Sequence, residues 1–204
     1  LISWVNPNGE TRDKTFDDYL REGPLAALDV IKDVTGQKEV NAMGYCLGGI
    51  LLTVLLAWLE KNGLKPIRSA TFMTTLVDYT DVGDIKVFVN EELVDRLEAA
   101  GRAKGFIPGD NVSWGFRMLR APDLIWSFII NHYLLGKPRV PFDLLYWNED
   151  ATNMPAACHT WFMRNMYLKN LLREPDALEV AGERIDVSRI RTPSYVLATR
   201  DDHI

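Results

Sequence analysis

The residues Gly44-Tyr45-Cys46-Leu47-Gly48-Gly49 place a thiol between a strand-like run, Glu39 to Met43, and an apolar helix-like run, Ile50 to Leu59, that Gly63 closes. Strand, Gly-x-Cys-x-Gly and helix make the nucleophile-elbow pattern, with sulfur in place of oxygen. An elbow turns so tightly that the residues two before and two after the nucleophile must be small. Gly44 and Gly48 meet that demand. A thiolate at Cys46 would attack an acyl carbonyl, and the backbone N–H of Leu47, in the first helical turn, would donate to the oxyanion formed. The helix N-terminus also favours thiolate over thiol. The alternative for the six residues alone is a buried cysteine in a Gly-rich strand-to-helix turn.

The acid of such a site is expected just past a late strand. Pro193 to Ala198 has the strand pattern, and the polar loop Thr199-Arg200-Asp201-Asp202 that follows it offers the candidate carboxylates. His203 adjoins Asp202, yet neighbours in extended chain project to opposite sides, so it is poorly placed to bridge Asp202 and Cys46. His132 and His159 are expected to pack or to face solvent. Cys158 sits in a helical stretch without elbow glycines and reads as a small buried hydrophobe. Cys158-His159 has no further cysteines or paired histidines around it, so no zinc site is expected. Asp78 and Asp150 read as loop or helix-cap residues.

The elements that would position these groups follow from the hydrophobic pattern. Leu1 to Val5 reads as a first strand, and Thr15-Phe16-Asp17-Asp18 matches a capping box that opens a helical stretch. Gly23-Pro24 interrupts that stretch and Gly36 ends it, with Leu25, Leu28 and Ile31 as the apolar stripe. The Val40 strand, the elbow helix and a strand from Ser69 to Leu76 come next. This β-α-β-α-β order predicts an α/β protein with a mainly parallel sheet. From about Asp81 to Met166 the alternation gives way to helical, aromatic sequence punctuated by prolines, which reads as a cap. The predicted organisation is therefore a core over 1–80, a helical cap or lid over 81–166, and a return to the core over 167–204. The cap's most apolar helix, Asp123 to Leu135, needs a covering partner or something to cover.

Composition narrows the classes. With 204 residues and 47% hydrophobic content the chain can fill a core, and a net charge of −5 argues against nucleic acid or an anionic membrane as partner. The longest apolar run is about half the roughly 20 residues that span a bilayer. Two cysteines make no disulfide framework, so a reducing cytosol is expected. The chain begins in strand-like sequence and stops just past a polar loop, and it is expected to be an internal piece of a longer protein.

Several ordered landmarks resemble the polyhydroxyalkanoate synthases, also called poly(3-hydroxyalkanoate) polymerases, of the single-subunit, short-chain type. They are Ser3-Trp4-Val5-Asn6-Pro7, Thr15 to Tyr19, Met43 to Gly49, Thr74 to Tyr79, Pro141 to Asn148, Asp150 to Pro155 and Asp202-His203-Ile204. The resemblance implies an α/β-hydrolase fold with a helical cap. It also implies a nucleophile at Cys46, an acid at Asp202, and a catalytic histidine in a Gly-His-type loop beyond Ile204, with a second oxyanion donor upstream of Leu1. The implied reaction polymerises (R)-3-hydroxyacyl-coenzyme A, preferably with short acyl groups, into polyester with release of coenzyme A. Coenzyme A is then part of the substrate, and no separate cofactor or metal is implied. The implied setting is a cytoplasmic homodimer at the surface of a growing polyester granule, while the isolated 204 residues are expected to be inactive. A cysteine hydrolase of the dienelactone type and a silent hydrolase-fold granule protein are the alternatives. The separation of 156 positions from Cys46 to Asp202, mostly filled by the cap, favours the polymerase over the compact dienelactone hydrolases.

Overall fold

In a computed structural model, residues 1–119, 121–138, 143 and 150–200 are described. In chain order the helices are α1 (Phe16–Leu20), α2 (Ala26–Thr35), α3 (Leu47–Lys61), α4 (Glu91–Lys104), α5 (Gly109–Leu119) and α6 (Ala156–Phe162). The strands are β1 (Val40–Tyr45), β2 (Ile67–Met73), β3 (Phe106–Ile107), β4 (Met154–Pro155), β5 (Leu178–Val180), β6 (Glu183–Ile185) and β7 (Ser194–Leu197). The chain divides into two compact units. The first holds residues 1–4, 14–81 and 160–200, and the second holds Val5–Asp13 and Val82–His159.

The first unit is built on a parallel sheet of order β1-β2-β7. Helix α3 covers one face of it, and Ile50, Leu52, Val54, Leu55, Leu56 and Leu59 are buried there. The opposite face of the sheet is open: Met43 is 70% exposed, Tyr45 56% and Tyr195 64%. Thr71 lies in register with both Met43 and Tyr195, so these residues share one side of the pleat. The hairpin β5-β6 packs against α3, and both central residues of its turn, Ala181 (φ 51°) and Gly182 (φ 85°), are left-handed, as a type I′ turn requires.

The capping box forms as expected, with Asp18 Oδ2 accepting from the Thr15 N–H at 2.8 Å while Thr15 Oγ1 accepts from the Asp18 N–H. Pro24 does not break the helix. A π-helical turn over Arg21–Leu25 carries α1 into α2 and absorbs the missing N–H. Gly36, at φ 70°, ends α2 in the left-handed conformation that glycine adopts without cost. None of α2 is buried, and Val30 and Val34 stand exposed.

Leu1 to Val5 does not form the expected strand, for no described strand pairs with it. The Trp4 ring instead packs edge-on against Tyr19 at 4.7 Å, and its outer edge occupies the space where a Cβ on Gly23 would stand. An extended segment without a ladder partner gains more by burying its indole against a helix than by staying extended.

In the second unit, Asn90 caps α4 by accepting from the Leu93 N–H at 2.9 Å, and Gly105 ends it at φ 90°. Strands β3 and β4 pair antiparallel. Two of the sequence landmarks meet at Asn153, whose N–H donates to Asn6 Oδ1 and whose side-chain amide donates to the Pro7 carbonyl, both at 2.9 Å. Asn153 Oδ1 also accepts from the Gly109 N–H at 3.0 Å. The stretch expected as one cap helix from Asp123 to Leu135 is largely π-helical, over Pro122–Trp126 and Ile129–Leu134. Trp126, Phe128, Ile130 and Tyr133 on it are exposed.

Candidate active site

Strand β1 delivers Cys46 to the carboxyl end of the sheet, where the chain reverses into α3. The Cys46 N–H donates to the Met73 carbonyl at 3.0 Å, extending the β1-β2 ladder by one residue, and the Cys46 carbonyl accepts from the Gly49 N–H at 2.9 Å as the helix begins. Between these two bonds the backbone takes φ 50° and ψ −119°. A side chain in the left-handed region costs on the order of 1–3 kcal/mol, which the flanking strand and helix must supply. The strain lifts the thiol out of the fold. Cys46 is exposed, whereas the other cysteine, Cys158, is buried.

The glycines account for the closeness of strand and helix, but not in the pairing the spacing suggests. A Cβ on Gly44 would stand 2.6 Å from the Gly48 carbonyl oxygen and 2.6 Å from Gly49 Cα. A Cβ on Gly48 would meet nothing within 4 Å, so its smallness is not what the packing uses. Gly49 is the second residue that must be glycine, because a Cβ there would stand 1.9 Å from Thr75 Oγ1. The reason is the helical period: Gly49 turns inward toward the loop after β2, while Gly48 turns to solvent. The doublet Gly48-Gly49 was the available signal.

Leu47 is the first residue of α3, with its side chain exposed. Helix geometry leaves its N–H and that of Gly48 without an intrahelical acceptor, so both are donors at the mouth of the elbow. Asp202 and His203 lie outside the described residues.

The charge of Cys46 is felt by two phenols that sequence reasoning passed over. Burial, and after it the charge of Cys46, raise Tyr167 to a pKa of about 12. Burial, then Tyr167, then Cys46 push Tyr79 further up. Their rings meet edge-on at 4.8 Å, with Phe162 against both. The signal was present in the landmark Thr74 to Tyr79, which leaves the end of β2 beside the elbow.

Asp78, one residue earlier, is a loop organiser, as expected. It accepts from the Thr80 hydroxyl at 2.6 Å and from the Asn170 amide at 2.8 Å, and these bonds, the Thr80 N–H and Arg173 hold its carboxyl down at about 2. In the second unit His159 is buried with Nδ1 unpartnered, and burial lowers its pKa to about 4, so it is neutral at pH 7. His132 turns Nδ1 toward the Lys137 carbonyl at 2.8 Å. Among the described residues, no cluster of His, Cys, Asp and Glu could hold a metal ion. A cleft lined by Glu39, Leu56, Glu60, Lys65, Arg68 and Arg191 lies at the amino ends of β1 and β2, away from the elbow. Ligands of open parallel sheets bind at the carboxyl ends.

A parallel sheet, a strained cysteine between strand and helix, and N–H donors beside it define a hydrolase-type elbow. The chain belongs to the alpha/beta hydrolase fold family, whose model matches residues 11–204. Over all 204 residues it is 47% identical to the poly(3-hydroxyalkanoate) polymerase subunit PhaC of Rhizobium meliloti, covering 33% of that protein. It is 47% identical to the poly(3-hydroxyalkanoate) polymerase of Methylorubrum extorquens, covering 34% of it. Against the PhaC subunit of Cupriavidus necator the identity is 39% over 209 aligned residues, covering 36%. The resemblance carried by the motifs thus extends along the whole chain. The chain spans about a third of the length of these relatives.

Proposed function

We propose that this chain is the elbow-bearing part of a poly(3-hydroxyalkanoate) polymerase and that Cys46 is its acyl carrier. One coincidence carries the reading: the exposed cysteine held at φ 50° falls within a match that covers all of this chain and 33% of a protein of that name. In the proposed reaction the Cys46 thiolate attacks the carbonyl of a 3-hydroxyacyl-coenzyme A thioester. The N–H of Leu47 donates to the resulting oxyanion, the carbon–sulfur bond to coenzyme A breaks, and coenzyme A leaves as its thiol. One thioester replaces another, so little free energy is lost before the ester bond forms. The hydroxyl of a second acyl unit or chain end then attacks the acyl-cysteine, its proton passing to the site's histidine, and the ester forms as the Cys46 thiolate leaves.

The proton leaving Cys46 passes to a histidine outside these 204 residues, as the resemblance implies, and Asp202 orients that histidine. Water competes with the hydroxyl for the acyl-cysteine. The segment from Asp81 to Met166 serves in this reading as a cap that keeps water away, with Trp126, Phe128 and Tyr133 offering apolar surface to the acyl chain. Their exposure on the Pro122–Leu134 stretch supports that role. A cytoplasmic homodimer on the polyester granule is the proposed setting. No helix among the described residues is long and apolar enough to cross a membrane.

The test is coenzyme A release by the full-length protein from (R)-3-hydroxybutyryl-coenzyme A, with polyester as product, measured against hydrolysis of a dienelactone. Polyester formation that disappears in Cys46→Ala is expected. Exclusive lactone hydrolysis contradicts the polymerase reading, and polymer formation unchanged in Cys46→Ala contradicts the role of the cysteine.

A further inference from the structure

The cleft at the amino ends of the sheet has a volume of about 210 Å³, below the roughly 300–1,000 Å³ of sites for drug-sized molecules, so it suits a small ligand. Leu56, Leu59 and Ile67 line it and are themselves buried, which gives it an apolar wall. The lining also carries three cations, Lys65, Arg68 and Arg191, and two carboxylates, Glu39 and Glu60. Arg68 owes its place to an irregularity of β2. Val40 pairs with Ile67 and Asn41 with Ser69, so Arg68 is the extra residue of a bulge, and the Ser69 hydroxyl donating to Asn41 Oδ1 at 2.8 Å pins the register beyond it. A bulge re-aims the side chain it carries. Arg191 is fixed by its own loop: Nη1 donates to the Ser188 carbonyl at 3.0 Å, and its N–H donates to Glu60 Oε1 at 3.4 Å. Neither the Lys65 ammonium nor the Arg68 guanidinium has a hydrogen bond or ion pair among the described residues.

We infer that this cleft is a binding site for a small monocarboxylate with a short apolar tail. The charge of the lining selects the class. Its cations outnumber its carboxylates by one, so a monoanion balances the cleft, a phosphate dianion overshoots, and a neutral molecule leaves a cation uncompensated. A carboxylate also matches the guanidinium fork of Arg68, which gives it two parallel hydrogen bonds, and Lys65 adds a point charge beside it. The tail leaves water on the wall of Leu56, Leu59 and Ile67. The site stands apart from the reaction. Cys46 follows the far end of β1, a strand of 6 residues, which puts the sulfur roughly 20 Å from the cleft.

Calorimetric titration of the full-length protein with butyrate tests this, with butyramide as its neutral match. Saturable butyrate binding is expected, and butyramide should bind about tenfold more weakly or worse. Arg68→Gln removes a charge that has no partner in the fold, so the variant should fold as the wild type does. It should weaken butyrate about tenfold, and Lys65→Gln should weaken it by about threefold or more, while Cys46→Ala should leave the affinity unchanged within about twofold. No saturable binding, butyramide bound as tightly as butyrate, or full affinity in Arg68→Gln would each overturn the inference. A loss confined to Cys46→Ala would put the butyrate at the elbow and overturn it too, and inorganic phosphate bound in preference to butyrate would overturn the choice of a monocarboxylate.

Discussion

The carbonyl oxygen of Gly48 lies so close to Gly44 that a Cβ at position 44 would stand 2.6 Å from it. Strand and helix meet there with only a hydrogen atom between them, and this contact sets the angle at which Cys46 leaves the sheet. Gly44→Ala is expected to destabilise the protein by about 1–3 kcal/mol, the usual cost of forcing extra volume into packed backbone. Gly48→Ala, with open space around it, is expected to be neutral or to stabilise by about 0.5–1 kcal/mol through helix propensity. Urea unfolding of the two variants checks the contrast, and equal effects would mean that the elbow is not packed as described.

Gly49 and Thr75 form the second such contact. Gly49→Ala drives a Cβ into Thr75 Oγ1 and is expected to cost about 1–3 kcal/mol. Thr75→Ala removes the hydroxyl and methyl, so the double variant should recover part of that loss. A double-mutant cycle in denaturant reads the coupling, expected between about 0.5 and 3 kcal/mol for residues in contact.

Burial of His159 makes stability depend on pH in a window of its own. Its folded pKa, about 4, lies below the ordinary 6.5, so below pH 6.5 the unfolded chain binds the proton and the folded chain does not. Stability should fall as pH drops from 6.5 to 4, by roughly 3 kcal/mol at the lower end, and level off below it. The lowered carboxyls, Asp78 among them, lose their contribution only below about pH 4, outside that window. Thermal unfolding of wild type and His159→Gln across pH 4–7 compares the slopes, and the variant should lack the decline over this range.

The two cysteines should differ in reactivity because one is exposed and the other buried. Brief iodoacetamide treatment of the native protein is expected to label Cys46 and spare Cys158, with both labelled after unfolding. Peptide mass spectrometry reads the sites. Labelling of Cys158 first would show that the second unit opens more readily than its burial implies.

Much of the core was legible because its signals are local. The β1, β2 and β7 runs, the Thr15 to Asp18 capping box and the Gly36 stop each depend on a few adjacent residues. The elbow itself was legible for the same reason. What was missed depends on partners distant in sequence. Leu1 to Val5 has strand composition, but composition does not supply a neighbouring strand, and Trp4 found Tyr19 and Gly23 instead. Gly49 rather than Gly48 faces Thr75, a choice made by the loop after β2. The β5-β6 hairpin is too short to show alternation. Tyr79 closed a landmark without a role of its own, and its backbone is held by Asn170, 91 positions away.

The central claim is that Cys46 carries the acyl group, and trapping that group tests it most directly. Full-length protein is mixed with (R)-3-hydroxybutyryl-coenzyme A, quenched in acid within the first turnover and digested for mass spectrometry. The account predicts a 3-hydroxybutyryl adduct on the peptide containing Cys46 and none in Cys46→Ala, which should also release no coenzyme A. An adduct on Cys158, or coenzyme A release that persists in Cys46→Ala, would contradict it.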